Sequence, residues 1–109
     1  MTGAVLVRVG IVSWNTAALL DECLAALPAA LEPYAAEVVV VDNASGDRSV
    51  EVARARADRV VVNDDNSGYA AAMNQALSPP WPQILIALNP DTVPEPGSLA
   101  ILVRSSSAM

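Results

Sequence analysis

Two stretches decide the fold: Val38-Val39-Val40-Val41-Asp42-Asn43-Ala44-Ser45-Gly46-Asp47 and Ile84-Leu85-Ile86-Ala87-Leu88-Asn89-Pro90-Asp91. Each is an apolar run that ends abruptly in polar residues and a carboxylate. An unbroken apolar run of this length reads as a central parallel strand buried on both faces. The first polar residues beyond such a strand lie at its C-terminal rim, where open α/β sheets bind ligands. Asp42 and Asp91 are therefore expected on one rim. Two carboxylates delivered there by separate strands suit a nucleotide and a hard metal ion.

Working outward, Val5 to Ser13 predicts a first strand, with Arg8 marking a first half near the sheet margin. Thr16 is a cap candidate for the helix that follows. Leu20, Leu24, Leu27 and Leu31 form its stripe, and Pro28 should end or bend it around Leu27. The second strand is Glu37 to Val41. Asp47 or Ser45 then caps a second helix carrying Val50, Ala53 and Ala57. Arg59 to Asn63 is a short outer strand flanked by charge. The polar turn Asn63-Asp64-Asp65-Asn66-Ser67-Gly68 feeds a third helix, with Tyr69, Met73, Ala76 and Leu77 on its buried side. Three prolines make Ser78 to Pro82 a rigid connector. Gln83 to Leu88 is the fourth strand, and Pro94, Glu95 and Pro96 open a last helix that runs to the C-terminus.

The alternation βαβαβαβα predicts one α/β domain, a Rossmann-like parallel sheet with right-handed crossovers. Strand order 3-2-1-4 puts the switch point between strands one and four, with the ligand crevice above it. In this order strand four has no outer neighbour. A second copy of the chain or further polypeptide is expected to cover that edge.

Composition narrows the function. The chain has 109 residues, 53% hydrophobic and 17% charged, which argues for a packed core over disorder. Its formal net charge is −6, and its six basic residues, all arginine, are scattered, so duplex nucleic acid is not an expected partner. There is no histidine and one cysteine, Cys23. An internal disulfide and any histidine-based catalytic or zinc site are excluded. Cys23 sits among Leu19, Leu20, Leu24 and Leu27 and reads as a small buried hydrophobe. No apolar run reaches the length of a membrane span, and Arg8 breaks the only stretch resembling a signal peptide. A reduced, cytoplasmic setting is expected, at most peripheral to the inner face of the membrane.

Four motifs in order carry a family resemblance: Val12-Ser13-Trp14-Asn15; Asp42 to Asp47; Asn66-Ser67-Gly68-Tyr69-Ala70-Ala71-Ala72-Met73-Asn74; and Leu88-Asn89-Pro90-Asp91 with Pro94, Pro96-Gly97 and Leu99. The set resembles the donor-binding half of family 2 glycosyltransferases of the GT-A fold, and within them a bacterial rhamnosyltransferase-like branch. The resemblance covers nearly all of this chain but only about the first third of such an enzyme. It implies an incomplete GT-A domain that binds a nucleoside-diphosphate sugar with Mg²⁺ or Mn²⁺ for inverting transfer to an acceptor. A thymidine-diphosphate rhamnose or a uridine-diphosphate sugar is the implied donor, and polysaccharide assembly the implied setting. The acceptor half and its base, a carboxylate on a later segment of the family, match nothing here.

Each candidate residue has a chemical reason and a structural alternative. Trp14, just after strand one between Ser13 and Asn15, offers a face for a base, worth about 1–3 kcal/mol if desolvated; the alternative is a core tryptophan on the first helix. Asp42 can accept from a base N–H or ribose hydroxyls, and Asn43 can donate and accept. The resemblance implies that this pair reads the nucleoside; alternatively Asp42 caps its turn and Asn43 orders it. Asp47 reads as a helix cap. Asn66 and Gly68 lie at a helix start whose free N–H groups favour an anion or a base edge. Asn74 is expected to brace that loop and Tyr69 to be core. By resemblance Asp91 closes the Asp-x-Asp motif and ligates the cation, which prefers oxygen ligands and bridges substrate phosphates. Asn89 stands at the first acidic position and adds no charge.

Two other functions compete. A non-catalytic nucleotide-binding or interaction module could keep the fold alone. A nucleotidyltransferase or a dinucleotide-binding domain would need a glycine-rich loop after strand one, and Ser13-Trp14-Asn15-Thr16 is not one.

Overall fold

The computed structural model describes residues 7–107. Strands β1 (Val7–Ser13), β2 (Ala36–Asp42), β3 (Arg59–Val62) and β4 (Ile84–Leu88) alternate with helices α1 (Ala17–Leu31), α2 (Ser49–Arg56), α3 (Tyr69–Ala76) and α4 (Ser98–Ser107). All strand pairs are parallel, in the order β3-β2-β1-β4. Fold class and strand order match the sequence expectation. Val5 and Leu6, predicted in the first strand, and the last two residues of the predicted final helix lie outside the described residues.

Period-two alternation divides the sheet between two cores. Val7, Val9 and Ile11 of β1 and Val38 and Val40 of β2 face Leu20, Cys23, Leu24, Leu27 and Leu31 of α1, with Ala53 of α2 and Leu99 and Val103 of α4. On the opposite face Val12, Val39 and Val41 meet Ala72, Met73 and Ala76 of α3. Each fully buried Leu or Val contributes about 1.5–3 kcal/mol. Gly10 is where α3 lies closest to the sheet. A β-carbon there would stand 2.9 Å from Leu77 Cδ2, 3.1 Å from Ala76 Cβ and 3.3 Å from Met73 Sδ.

Several expectations are corrected. Arg8 is not marginal: it lies in β1, between β2 and β4, and is 4% exposed. Its Nε donates to Glu37 Oε1 at 2.7 Å, and Nη1 and Nη2 donate to the carbonyls of Ser78 and Pro80 at 2.6 Å. A buried guanidinium needs such partners, and it pins the proline-rich connector under the sheet. Pro28 does not end α1, which continues to Leu31 and closes with the Glu32 N–H on the Pro28 carbonyl. The apolar face of the last turn, Ala30 and Leu31, is buried and outweighs the missing donor. Pro96 precedes α4, because Gly97 at φ 77° separates them. β4 is not buried on both faces: Ile84, Ile86 and Leu88 pack on the core, whereas Leu85 is 40% exposed. α3 covers β1 and β2 but stops short of it.

Candidate functional site

The register builds the rim. Ser13 pairs with Asp42 across β1 and β2, and Ile11 pairs with Leu88 across β1 and β4. The chain after Leu88 therefore reaches the level of Ser13 just before Asp91. Asp42 and Asp91 follow strands on either side of β1 at the same C-terminal end. Two strand spacings separate the strands themselves, about 10 Å.

The loops after β1 and β2 are stitched together. Ser45 is the centre of the stitch: its Oγ accepts from the Asn15 N–H at 2.9 Å and donates to Asp42 Oδ1 at 2.7 Å. Its own N–H donates to Asp42 Oδ2 at 2.9 Å. Asn15 Oδ1 in turn accepts from the Gly46 N–H at 2.7 Å. Asp42 is 1% exposed, with each carboxylate oxygen bonded once.

Asp47 joins the same two loops from behind. Its Oδ1 accepts from the Ser49 N–H and hydroxyl at the start of α2, and its Oδ2 from the Ala17 N–H at the start of α1. One carboxylate thus caps two helices, favourable for both dipoles. Its hydrogen bonds, chiefly from the Ser49 hydroxyl, hold its pKa below 3.8. Thr16, expected as the α1 cap, makes no side-chain capping bond and meets the Ser13 hydroxyl at 2.9 Å. Asp47 satisfies the Ala17 N–H at that helix start instead.

Asn43 ties in the third loop. It is 2% exposed. Nδ2 donates to the Gly68 carbonyl at 3.2 Å, and Oδ1 accepts from Asn63 Nδ2 and from the Ser67 hydroxyl and N–H. Asn63 and Gln75 exchange a pair of bonds that fastens the loop to α3. Asn66 is exposed and accepts from the Gly68 N–H at 2.8 Å, and Gly68 at φ 85° turns the chain into the helix. Asn74 is exposed and, among the described residues, its side chain makes no hydrogen bond, so bracing passes to Gln75. Asn63 and Ser67 belong to the polar turn and Ser67 to a quoted motif, but no local pattern marked their bonds to Asn43, nor Gln75.

Both rim aromatics are exposed. Trp14 is 53% exposed, which removes its reading as a core residue, and Tyr69, expected in the core, is also 53% exposed. Tyr69 shares the helical face of Met73 and Ala76 but stands at the first residue of α3, where that face is no longer covered.

The loop after β4 stands apart. Asn89 and Asp91 are exposed, and the Thr92 N–H closes their turn on the Asn89 carbonyl at 3.1 Å. Among the described residues no side chain bonds to Asp91. The loop touches α1: the Cys23 thiol lies 3.9 Å from the Asn89 carbonyl, and the Gly97 N–H donates to Ala29. Burial first, then the Asp91 charge, pushes the Cys23 thiol up to about 11. No group of three or more His, Cys, Asp or Glu gathers to hold a metal among the described residues. An all-protein cation cage is therefore not what this rim offers. One free carboxylate, with the Asn89 amide beside it, fits an ion held largely by water and substrate phosphates.

No helix among the described residues is long and apolar enough to cross a membrane.

The family model described as glycosyl transferase family 2 matches residues 8–107. A succinoglycan biosynthesis protein, ExoU of Rhizobium meliloti (strain 1021), is 42% identical over 77 residues, which are 66% of this chain and 22% of that protein. Among solved structures, a mannosyltransferase of Pyrobaculum calidifontis in complex with GDP-Man and Mn²⁺ superposes with a TM-score of 0.69 at 28% identity. The match covers 83% of this chain and 28% of that one. TarS of S. aureus (residues 1–349) gives a TM-score of 0.72 at 24% identity, over 94% and 31% of the two chains. This chain thus spans less than a third of each of these relatives.

Proposed function

The chain belongs to glycosyl transferase family 2, and from that premise we propose that it forms the donor-binding portion of an inverting glycosyltransferase. The single observation that supports this most is the common rim of Asp42 and Asp91, at the ends of strands flanking β1, with the exposed Trp14 just after β1, the strand between theirs. The base stacks on Trp14 and is read by Asp42, whose oxygens each keep a free lone pair. Asn43 acts through the 63–68 loop, which its amide oxygen and one amide N–H hold. Ser13, Asn15, Asn66 and Gly68 shape the walls, and Asn89 lies beside the phosphates. Asp91 holds Mg²⁺ or Mn²⁺ against the diphosphate. The ion, when bound, neutralises the leaving group as the sugar–oxygen bond breaks.

The donor is a nucleoside-diphosphate sugar, with thymidine-diphosphate rhamnose and uridine-diphosphate sugars as candidates. The complex of the mannosyltransferase relative adds GDP-mannose. Similarity to a succinoglycan biosynthesis protein supports a growing polysaccharide as acceptor. Inverting transfer also needs a base for the acceptor hydroxyl, and none of the residues named above is assigned that role.

Calorimetry with UDP, GDP and TDP, each with and without Mn²⁺, tests this reading. One of them should bind at least tenfold more tightly with Mn²⁺, and Asp91→Ala should remove that gain. Binding indifferent both to Mn²⁺ and to Asp91→Ala would defeat it.

A further inference from the structure

Ser45 and Asn15 connect the two groups that the proposed function assigns to the nucleoside. Trp14 and Asp42 belong to different strands and do not hydrogen-bond to each other. The β1–β2 ladder, which pairs Ser13 with Asp42, brings the two backbones together, and a short relay fixes the groups beyond it: the Asn15 N–H to Ser45 Oγ, Ser45 Oγ to Asp42 Oδ1, and the Gly46 N–H back to Asn15 Oδ1. Asn15, the residue after Trp14, sits at φ 52°, a left-handed conformation that few residues other than glycine adopt readily. Its side chain and its own N–H are both engaged by the 45–46 turn, so that turn enforces the backbone carrying Trp14. At the other end Ser45 donates to both oxygens of Asp42, and this holds the carboxylate in one rotamer.

We infer that Ser45 and Asn15 are positioning residues that set the spacing between the stacking ring of Trp14 and the reading carboxylate of Asp42, and so determine which base the site prefers. This rests on the proposed nucleoside role of that pair. Asn15 also forms part of the wall, whereas Ser45 need not touch the nucleotide. Ser45 is half-buried, and its hydroxyl is engaged on both sides as donor and acceptor. Phosphate binding by Asp91 should be independent of the relay, because no hydrogen bond among the described residues joins the 89–97 loop to it.

The experiment compares Kd for UDP, GDP, TDP and inorganic pyrophosphate, all with Mn²⁺, in the wild-type chain, Ser45→Ala, Ser45→Thr and Asn15→Gly. Asn15→Gly keeps the positive φ while deleting the link to Gly46. Ser45→Ala and Asn15→Gly should each weaken the preferred nucleoside diphosphate by about tenfold and narrow its margin over the other two. Pyrophosphate affinity should stay within about twofold, and Ser45→Thr, which keeps the hydroxyl, should restore the preference. Unchanged base preference in both variants would overturn the inference while leaving the proposed function standing. A parallel loss of pyrophosphate and nucleotide affinity would also overturn it, by showing general disruption instead of positioning. If the wild-type chain binds none of the three nucleotides with Mn²⁺, the proposed function itself fails, and the relay has nothing to position.

Discussion

The loops after β1, β2 and β3 and the loop after β4 share one rim but are built in opposite ways. The first three are cross-braced by side chains: Ser45, Asn15 and Asp47 join the first two, and Asn43 with Ser67 and Asn63 joins the third. Within the described residues no buried side-chain nitrogen or oxygen lacks a partner. The fourth loop carries Asp91 on a turn closed by its own backbone and leans on α1 alone. Recognition of a base needs groups at fixed spacing, and a satisfied polar network supplies it. Holding a cation through phosphates and water needs less, since the ligand itself completes the shell. Rigidity is concentrated where shape must be read.

Variants can break that contrast. The largest effect is expected from Asn43→Ala. It takes one partner from each of the Gly68 carbonyl, Asn63 Nδ2 and Ser67, though Gly68 keeps the Ala72 N–H and Asn63 keeps Gln75, and should cost about 2 kcal/mol in urea unfolding of this chain. A loss under 1 kcal/mol would show that the third loop is held by something else. Ala44→Gly should move the other way. Ala44 sits at φ 65° between Asn43 and Ser45, a conformation costing an L-residue roughly 1–2 kcal/mol. Glycine should stabilise the chain by about 1 kcal/mol, seen as a raised urea midpoint with unchanged slope.

A pH series sharpens the picture at Asp47. Its folded pKa lies below the ordinary 3.8, so its ionised form is favoured by folding. The stability it contributes is fully present above the unfolded value and is lost as pH falls through the folded one. Asp47→Asn should therefore be less stable than wild type at pH 7, with the gap closing below pH 3.8 in thermal melts. The smallest effect belongs to the fourth loop. Asp91→Asn should change stability by less than about 0.5 kcal/mol, because the side chain is exposed and unbraced. It should nevertheless lower the pKa of Cys23 from about 11, read from the pH dependence of thiol alkylation, since one of the two causes raising it is gone.

The fold was legible because its signals are local. Valine runs, cap residues and turn chemistry lie within a few residues of the elements they define, and parallel handedness does the rest. Asp42 and Asp91 could be assigned to one end of the sheet for the same reason. The bracing was hidden. Asn15 and Gly46 are 31 residues apart, and Asn43 and Gly68 are 25 apart, so no period or motif announces their bonds. Aromatic burial was equally out of reach. Trp14 and Tyr69 are exposed because of where α1 and α3 happen to cross the sheet, which is a tertiary outcome. Arg8 misled because a charge in a strand reads as an edge, whereas Glu37 and two carbonyls 70 and 72 residues downstream receive it inside.

Gly10 gives the rim a dependence that its own residues do not reveal. With a bare α-carbon at that point of β1, Met73, Ala76 and Leu77 settle directly onto the strand. A methyl group there would press on the Leu77 and Met73 side-chain ends, which can turn aside, and on the Ala76 β-carbon, which can give only if α3 itself shifts by a few tenths of an ångström. The seat of that helix, and of the Asn66–Gly68 turn leading into it, is thus set from the floor of the sheet.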